Sequence, residues 1–109
     1  MLKITINYKD ENIIGFTVKG HAAYAPKGED IYCAGISAIT QTALIGLIKH
    51  LNSQPEYIHE PGNMSVVLSD NISQDDKEKA QLILTTMLAG LESMEESYGK
   101  YMKLEIRRC

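Results

Sequence analysis

A cysteine and a histidine twelve positions apart, Cys33 and His21, are the side chains in this sequence best suited to covalent chemistry. Asp30 is a good N-cap residue, so we expect a helix to begin there and to hold Cys33 in its first turn. The helix dipole and unpaired N–H groups of a first turn favour the thiolate, and they can also stabilise an oxyanion. His21 could accept the thiol proton. The pattern therefore favours a Cys-His dyad for acyl transfer.

The residues alone leave a second interpretation of Cys33 open. A lone cysteine on an apolar helix is commonly an inert core residue. Metal binding is disfavoured, because His21 and Cys33 have no further ligands in recognisable spacing and because His50 and His59 belong to other elements. With two cysteines in the chain, one of them the last residue, Cys109, we expect no structural disulfide.

Two strands and a loop must position His21. Apolar residues alternate with polar ones over residues 2–8 and 14–18, which predicts an antiparallel hairpin. Residues 20–29 contain two glycines and a proline without sustained periodicity, which is typical of a loop. The helix predicted over residues 30–51 is apolar around most of its circumference. We therefore expect it to pack on the sheet with one face and on a second helix or a partner subunit with another.

The second half of the chain predicts another hairpin, a helix and a last strand. Strands over residues 56–60 and 64–69 flank Pro61-Gly62, which suits a type II turn. Ser73 to Asp76 resembles a capping box ahead of a helix that ends at Gly99, and residues 101–107 alternate as a fifth strand. The order β-β-α-β-β-α-β predicts an α+β two-layer sandwich, with two helices on a mostly antiparallel five-stranded sheet in a single domain over residues 1–109.

Composition excludes several classes of protein. The chain has 109 residues, 44% hydrophobic and 23% charged, with a net charge of −3, so it carries no electrostatic footprint for binding nucleic acid directly. No stretch approaches the roughly 20 uninterrupted apolar residues of a membrane span, and the first residues lack a signal peptide's apolar segment. We therefore expect a cytoplasmic protein with no membrane partner.

The segment from Gly20 to Ser37, GHAAYAPKGEDIYCAGIS, resembles the signature of the ribosomal-processing cysteine protease family. That signature is approximately Gly-His-Ala, a variable loop, Gly-x-Asp-[Ile or Val]-x-Cys-Ala and then Ser. The matching positions are Gly20, His21, Ala22, Gly28, Asp30, Ile31, Cys33, Ala34 and Ser37. The likeness extends over the whole chain in length and in the order of its elements.

The resemblance implies an endopeptidase that removes the N-terminal extension of large-subunit ribosomal protein number twenty-seven. The family's dyad maps onto His21 and Cys33, and its members are cofactor-free homodimers whose loop before the helix orders around substrate. The rival hypothesis is a non-enzymatic, ribosome-associated dimer that binds the extension or another assembly partner. In that case Cys33 would be merely buried.

Several residues near the dyad have more than one possible role. Asp30 would either cap the helix or orient His21. Ser37, one turn after Cys33, would bond a neighbour in the site or simply be a small helix residue. Glycines at 20 and 28 would be hinges or close-approach points of the loop. Tyr24 and Tyr32 could contact an apolar substrate side chain, and Tyr32 could instead flank the helix cap.

Overall fold

The computed structural model describes residues 1–20 and 27–108, with the backbone alone at residues 27–30, 98 and 100. The elements in chain order are β1 (Leu2–Lys9), β2 (Asn12–Lys19), α1 (Lys27–His50), β3 (Glu56–Glu60), β4 (Asn63–Val67), α2 (Gln74–Tyr98), a 3-10 turn (Gly99–Tyr101) and β5 (Met102–Arg108). The strand order is β3-β4-β2-β1-β5. The β1–β5 pair is parallel and the other pairs are antiparallel. The predicted fold class is confirmed.

The core lies between the sheet and the two helices. In β1 the buried apolar residues Leu2, Ile4 and Ile6 alternate, as the period of two requires. In β2 the ladder to β1 shifts register opposite Asn7 and Tyr8, so Ile13 rather than Ile14 is buried together with Phe16 and Val18. These residues meet the buried residues of α1 and α2. Among the described residues, the largest fully buried apolar side chains are Ile4, Ile6, Ile13, Phe16, Ile36, Leu47, Val66, Leu84 and Leu91. As predicted, α1 packs against a second helix as well as contributing to this core.

The predicted start of the first helix is wrong. The helix begins at Lys27, so Asp30 lies inside it rather than at its N-cap, and Gly28 is helical rather than part of a loop. Residues 27–30 carry no apolar residue that could reveal helical periodicity, although acidic residues at 29 and 30 suit the positive end of a helix. Cys33 consequently lies in the second turn, and its N–H belongs to the i→i−4 ladder. It is not one of the unpaired first-turn donors.

The predicted capping box at the start of α2 is half confirmed. Ser73 is the N-cap, and its Oγ accepts a hydrogen bond from the Asp76 N–H at 3.1 Å. The Asp76 carboxylate, however, accepts from the backbone N–H groups of Asn52 at 3.0 Å and Ser53 at 2.9 Å. This side chain therefore connects the start of α2 to the segment that follows α1.

The two predicted glycine positions differ in backbone geometry. Gly62 has φ 73°, the positive value that the predicted turn after Pro61 requires. Gly99 ends α2 as predicted, but its φ of −60° is right-handed and the chain continues into the 3-10 turn. The end of α2 is therefore a tighter 3-10 turn rather than a left-handed cap.

Within the described residues, α1 is long and apolar enough over Ile31–His50 to cross a membrane by length and composition alone. The sequence prediction that the chain does not cross a membrane stays a prediction, because this helix is interrupted by polar residues and its composition alone does not distinguish a span from a core helix. Ile36 and Leu47, in the same window, are fully buried in the core. The core helix of a folded domain passes the same composition test.

Candidate active site

Cys33 lines a pocket of about 320 Å³ between α1 and the β3–β4 hairpin, which we call the Cys33 pocket. The thiol side chain is only 3% exposed and is not part of a disulfide. The pocket's volume lies at the lower end of the range for small-molecule sites. A buried sulfur in the wall of such a pocket can meet a bound group but has little contact with bulk water.

One face of α1 forms the first wall of the Cys33 pocket. Cys33, Ser37, Thr40 and Gln41 are separated by four, three and one positions, so they follow one another along the same side of the helix. Thr40 is fully buried, and its hydroxyl donates to the Ile36 carbonyl at 3.0 Å, which satisfies that polar group inside the helix. Thr40 therefore carries no unsatisfied hydroxyl in the buried part of this wall.

The floor and the opposite wall come from the sheet. Leu2, Val18 and Met64 are buried residues of three neighbouring strands and line the bottom of the pocket. Their cross-strand register explains the proximity, since Val18 pairs with Met64. The opposite wall consists of the end of β3, the turn and the first residue of β4, namely His59, Glu60, Pro61, Gly62 and Asn63.

Gly20 links the end of β2 to this pocket. Its N–H donates to the Gly62 carbonyl at 3.1 Å, and Gly20 itself lines the pocket. Its φ of +149° is a conformation that side chains disfavour, and a Cβ there would lie 2.8 Å from the Met1 carbonyl oxygen. The predicted close approach at Gly20 is therefore confirmed, and it fixes where the chain leaves β2.

The structure brings together three of the residues singled out from the sequence: Cys33, Ser37 and Gly20 all line one pocket. His21 and Tyr24 lie outside the described residues, so their predicted roles stay predictions. For Asp30 the cap role is wrong and the alternative, orienting His21, stays a prediction.

Tyr32 has a role that the sequence did not suggest. Its ring stacks on Tyr101 with centroids 4.5 Å apart and an interplanar angle of 21°. This contact joins α1 to the 3-10 turn before β5. Tyr32 is not among the described residues that line the Cys33 pocket, and its predicted contact with a substrate side chain stays a prediction.

Sequence reasoning missed the hairpin wall. The turn at Pro61-Gly62 was recognised from its residue types, but no local signal shows that it faces Cys33, about thirty positions earlier in the chain. That proximity depends on β4 pairing with β2 rather than with another strand. Among the described residues, no group of three His, Cys, Asp or Glu side chains is arranged to hold a metal ion.

Comparison with known proteins extends this description. The family model described as cysteine protease Prp matches residues 1–103. The ribosomal processing cysteine protease Prp of Staphylococcus aureus strain Mu50 is 30% identical over 110 residues, covering 98% of this chain and 100% of the relative.

Two crystal structures of an essential ribosomal processing protease Prp from S. aureus are also similar to this chain. The complex with a substrate peptide has a TM-score of 0.86 at 28% identity, and the complex with a covalently linked product peptide has a TM-score of 0.81 at 29% identity. Each match covers 98% of this chain and 100% of the other.

The fold, the pocket and these matches define the class of protein: the chain is a cysteine protease. It belongs to the cysteine protease Prp family.

Proposed function

We propose that this chain is an endopeptidase that removes the N-terminal extension of large-subunit ribosomal protein number twenty-seven, with Cys33 as nucleophile and His21 as general base. The observation that carries the proposal is that Cys33 and Gly20, the residue directly before His21, line the same pocket. The name of the S. aureus relative, a ribosomal processing protease, and its complex with a substrate peptide support the choice of substrate class.

The proposed reaction is acyl transfer to sulfur. His21 accepts the proton of the Cys33 thiol, and the thiolate attacks the scissile carbonyl carbon to form a tetrahedral intermediate. Collapse of that intermediate breaks the C–N bond, and His21 returns the proton to the leaving amine. Water, deprotonated by His21, then hydrolyses the thioester and releases the new carboxylate. The S. aureus complex with a covalently linked product peptide is consistent with an acyl-enzyme stage.

A cleavage assay tests this proposal directly. The parent protein and its Cys33→Ala variant are incubated with a peptide spanning the extension boundary, and the products are read by mass spectrometry. We expect one discrete cut by the parent and none by the variant, because only the thiol can form the thioester. Circular dichroism of the variant checks that the fold is kept. Equal cleavage by both proteins would contradict the role of Cys33.

Thiol reactivity separates the protease from the rival binding module. A thiol activated by a neighbouring base alkylates with iodoacetamide at neutral pH, whereas an inert core thiol reacts only on unfolding. We expect alkylation of Cys33 in the folded parent and slower alkylation in His21→Ala. A thiol that is inert in the native protein, with the peptide still bound, would favour the binding module.

We also propose a cytoplasmic homodimer with no cofactor. The dimer is supported by large apolar side chains on the outer surfaces of the helices: Ile31 is 68% exposed, Ile45 61% and Leu82 70%. Exposed apolar patches of this kind mark interaction surfaces. The cytoplasmic location is supported by the substrate, since ribosomal proteins are made and assembled there.

A further inference from the structure

The edge strand β3 presents an accessible hydrogen-bonding surface beside the Cys33 pocket. The strand order within the described residues places β3 outermost, and all five of its residues are exposed. Tyr57 is 52% exposed and Ile58 is 51% exposed. The N–H and C=O groups along an edge strand are a template for another extended chain.

The hairpin geometry determines which backbone groups face outward. A two-residue turn joins Glu60 and Asn63, so this closing pair is hydrogen-bonded. In an antiparallel ladder, hydrogen-bonded and non-hydrogen-bonded pairs alternate. Glu56 and Ile58 therefore bond to β4, whereas Tyr57 and His59 direct their N–H and C=O groups away from the sheet.

The outward-facing groups lead into the pocket. His59 and Glu60 line the Cys33 pocket, and His59 lies opposite the buried Met64. Directly opposed residues of a sheet share a face, so Tyr57 and His59 lie on the same side of the sheet as α1. An extended chain paired with this edge would continue directly to the wall that holds Cys33.

We propose that the substrate peptide binds as a sixth strand, hydrogen-bonded to the backbone of Tyr57 and His59, with its scissile bond delivered to Cys33. This inference rests on the proposed protease function. The backbone ladder supplies binding independent of side chains, and alternate side chains of the peptide face the α1 side, where they can be selected.

Charge argues against a second copy of this chain as the occupant. If two β3 strands paired antiparallel about Ile58, Glu56 of one copy would lie opposite Glu60 of the other at both ends. Like charges directly opposite each other destabilise a strand pair. Glu56 and Glu60 alternate with Tyr57 and His59, so their carboxylates lie on the face of the sheet opposite α1. They favour a peptide with basic residues on that opposite face.

An ester scan of the peptide tests the proposed ladder. Each backbone N–H outside the scissile bond is replaced in turn by an ester oxygen, and binding to the Cys33→Ala variant is measured by fluorescence anisotropy. We expect roughly tenfold weaker binding at alternate positions and little change between them, because only every second amide can donate to β3. Uniform or irregular effects would overturn the inference.

A change in the protein provides the complementary test. Tyr57→Pro removes the outward N–H at an edge position that tolerates proline, whereas Tyr57→Ala removes only the side chain. We expect Tyr57→Pro to raise KM roughly tenfold relative to Tyr57→Ala at similar kcat. Equal KM values in the two folded variants would contradict the ladder.

The outcomes separate this inference from the proposed function. Cleavage without alternation would leave the protease standing and overturn strand addition. Alternating effects on binding without cleavage would support strand addition and overturn the proposed protease reaction. If the peptide is neither bound nor cleaved, both proposals are overturned. If the protein dimerises through β3 and Tyr57→Pro abolishes the dimer, the occupant of the edge is a second copy of this chain.

Discussion

Gly20 is the residue whose backbone most directly determines the position of the chain beside Cys33. A Cβ at this position would lie 2.8 Å from the Met1 carbonyl oxygen and 3.1 Å from the Leu2 Cα, both backbone atoms that cannot rotate away. We therefore expect Gly20→Ala to lower the free energy of unfolding by roughly 1–3 kcal/mol. Because the same shift moves the backbone directly before His21, the proposed general base, cleavage should fall as well. Urea unfolding and the peptide assay measure the two effects.

Gly46→Ala is the matched control for this prediction. A Cβ at Gly46 makes only ordinary contacts, the nearest being 3.5 Å from Ile83, and the residue lies within α1, one turn before the helix ends. Alanine there should be neutral or should stabilise the helix by up to about 1 kcal/mol. If both alanine variants behave alike, the close approach at Gly20 is not what constrains the chain.

At the residue scale, the pairing of Cys33 with His21 stays a prediction, because His21 lies outside the described residues. Cys33 could be singled out because thiols are rare in this sequence and because a histidine lies twelve positions before it in the chain. Its position in the second helical turn could not, since Asp30 fits a cap and an early helical position equally well. The hairpin residues opposite Cys33 had no local signal, because strand pairing over long separations places them there.

At the scale of elements, Asp76 connects the two helices. The backbone N–H groups of Ser53 and Asn52 donate to its carboxylate and lower its pKa below the ordinary value. A group whose pKa is lowered by folding stabilises the native state above its unfolded pKa, and this contribution is lost as pH falls through the folded pKa. We therefore expect the melting temperature to fall below about pH 4 partly through this group.

The Asp76→Asn variant tests that expectation. At pH 7 it should melt several degrees below the parent. The difference should shrink as the pH falls below about 4 toward the lowered pKa at which the folded parent carboxylate becomes protonated. The control is Asp75→Asn, which removes an exposed partner of Lys79 at 2.9 Å, since surface pairs of this kind contribute little. A pH-independent difference for Asp76→Asn would contradict the assignment.

Most elements could be predicted because their apolar periods are regular. The alternation in β1 and the stripe along α2 reflect burial of one face. The alternation over residues 14–18 did not reveal the register shift that buries Ile13 instead of Ile14. The start of α1 could not be predicted in this way, since residues 27–30 contain no apolar residue. The capping box predicts that the Asp76 carboxylate accepts from the N–H of Ser73. Its actual donors are the N–H groups of Asn52 and Ser53, more than twenty positions earlier in the chain.

At the scale of the whole molecule, the helices leave an apolar surface facing away from the sheet. A groove of about 730 Å³ runs between α1 and α2, and its lining is mostly apolar, with Ala38, Ile39, Leu82 and Ile83 among its residues. Ile45, on the adjoining surface of α1, is 61% exposed. This is the surface that we expect the proposed homodimer to bury.

Ile45→Lys should therefore convert a dimer to a monomer, because an unpaired charge in an apolar interface costs several kcal/mol. Size-exclusion chromatography with light scattering measures the mass of each variant. Val67→Lys is the control, since Val67 is 46% exposed but belongs to β4 rather than to the helices. A parent that is monomeric at micromolar concentration, or a dimer unaffected by Ile45→Lys, would contradict this interface.

The parallel pairing of β1 with β5 has a consequence for the kinetics of folding. Leu2 lines the floor of the Cys33 pocket, and its partner in the ladder is Met102, one hundred positions along the chain. Contacts of such long sequence separation form late, because the entropy of closing a long loop is lost before the contact contributes. During synthesis, β1 can pair with β2 early but must wait for β5 to leave the ribosome. The strand that carries Leu2 is therefore held on its β2 side before it is held on its β5 side, and the sheet beneath the pocket is complete only after β5 has emerged and paired.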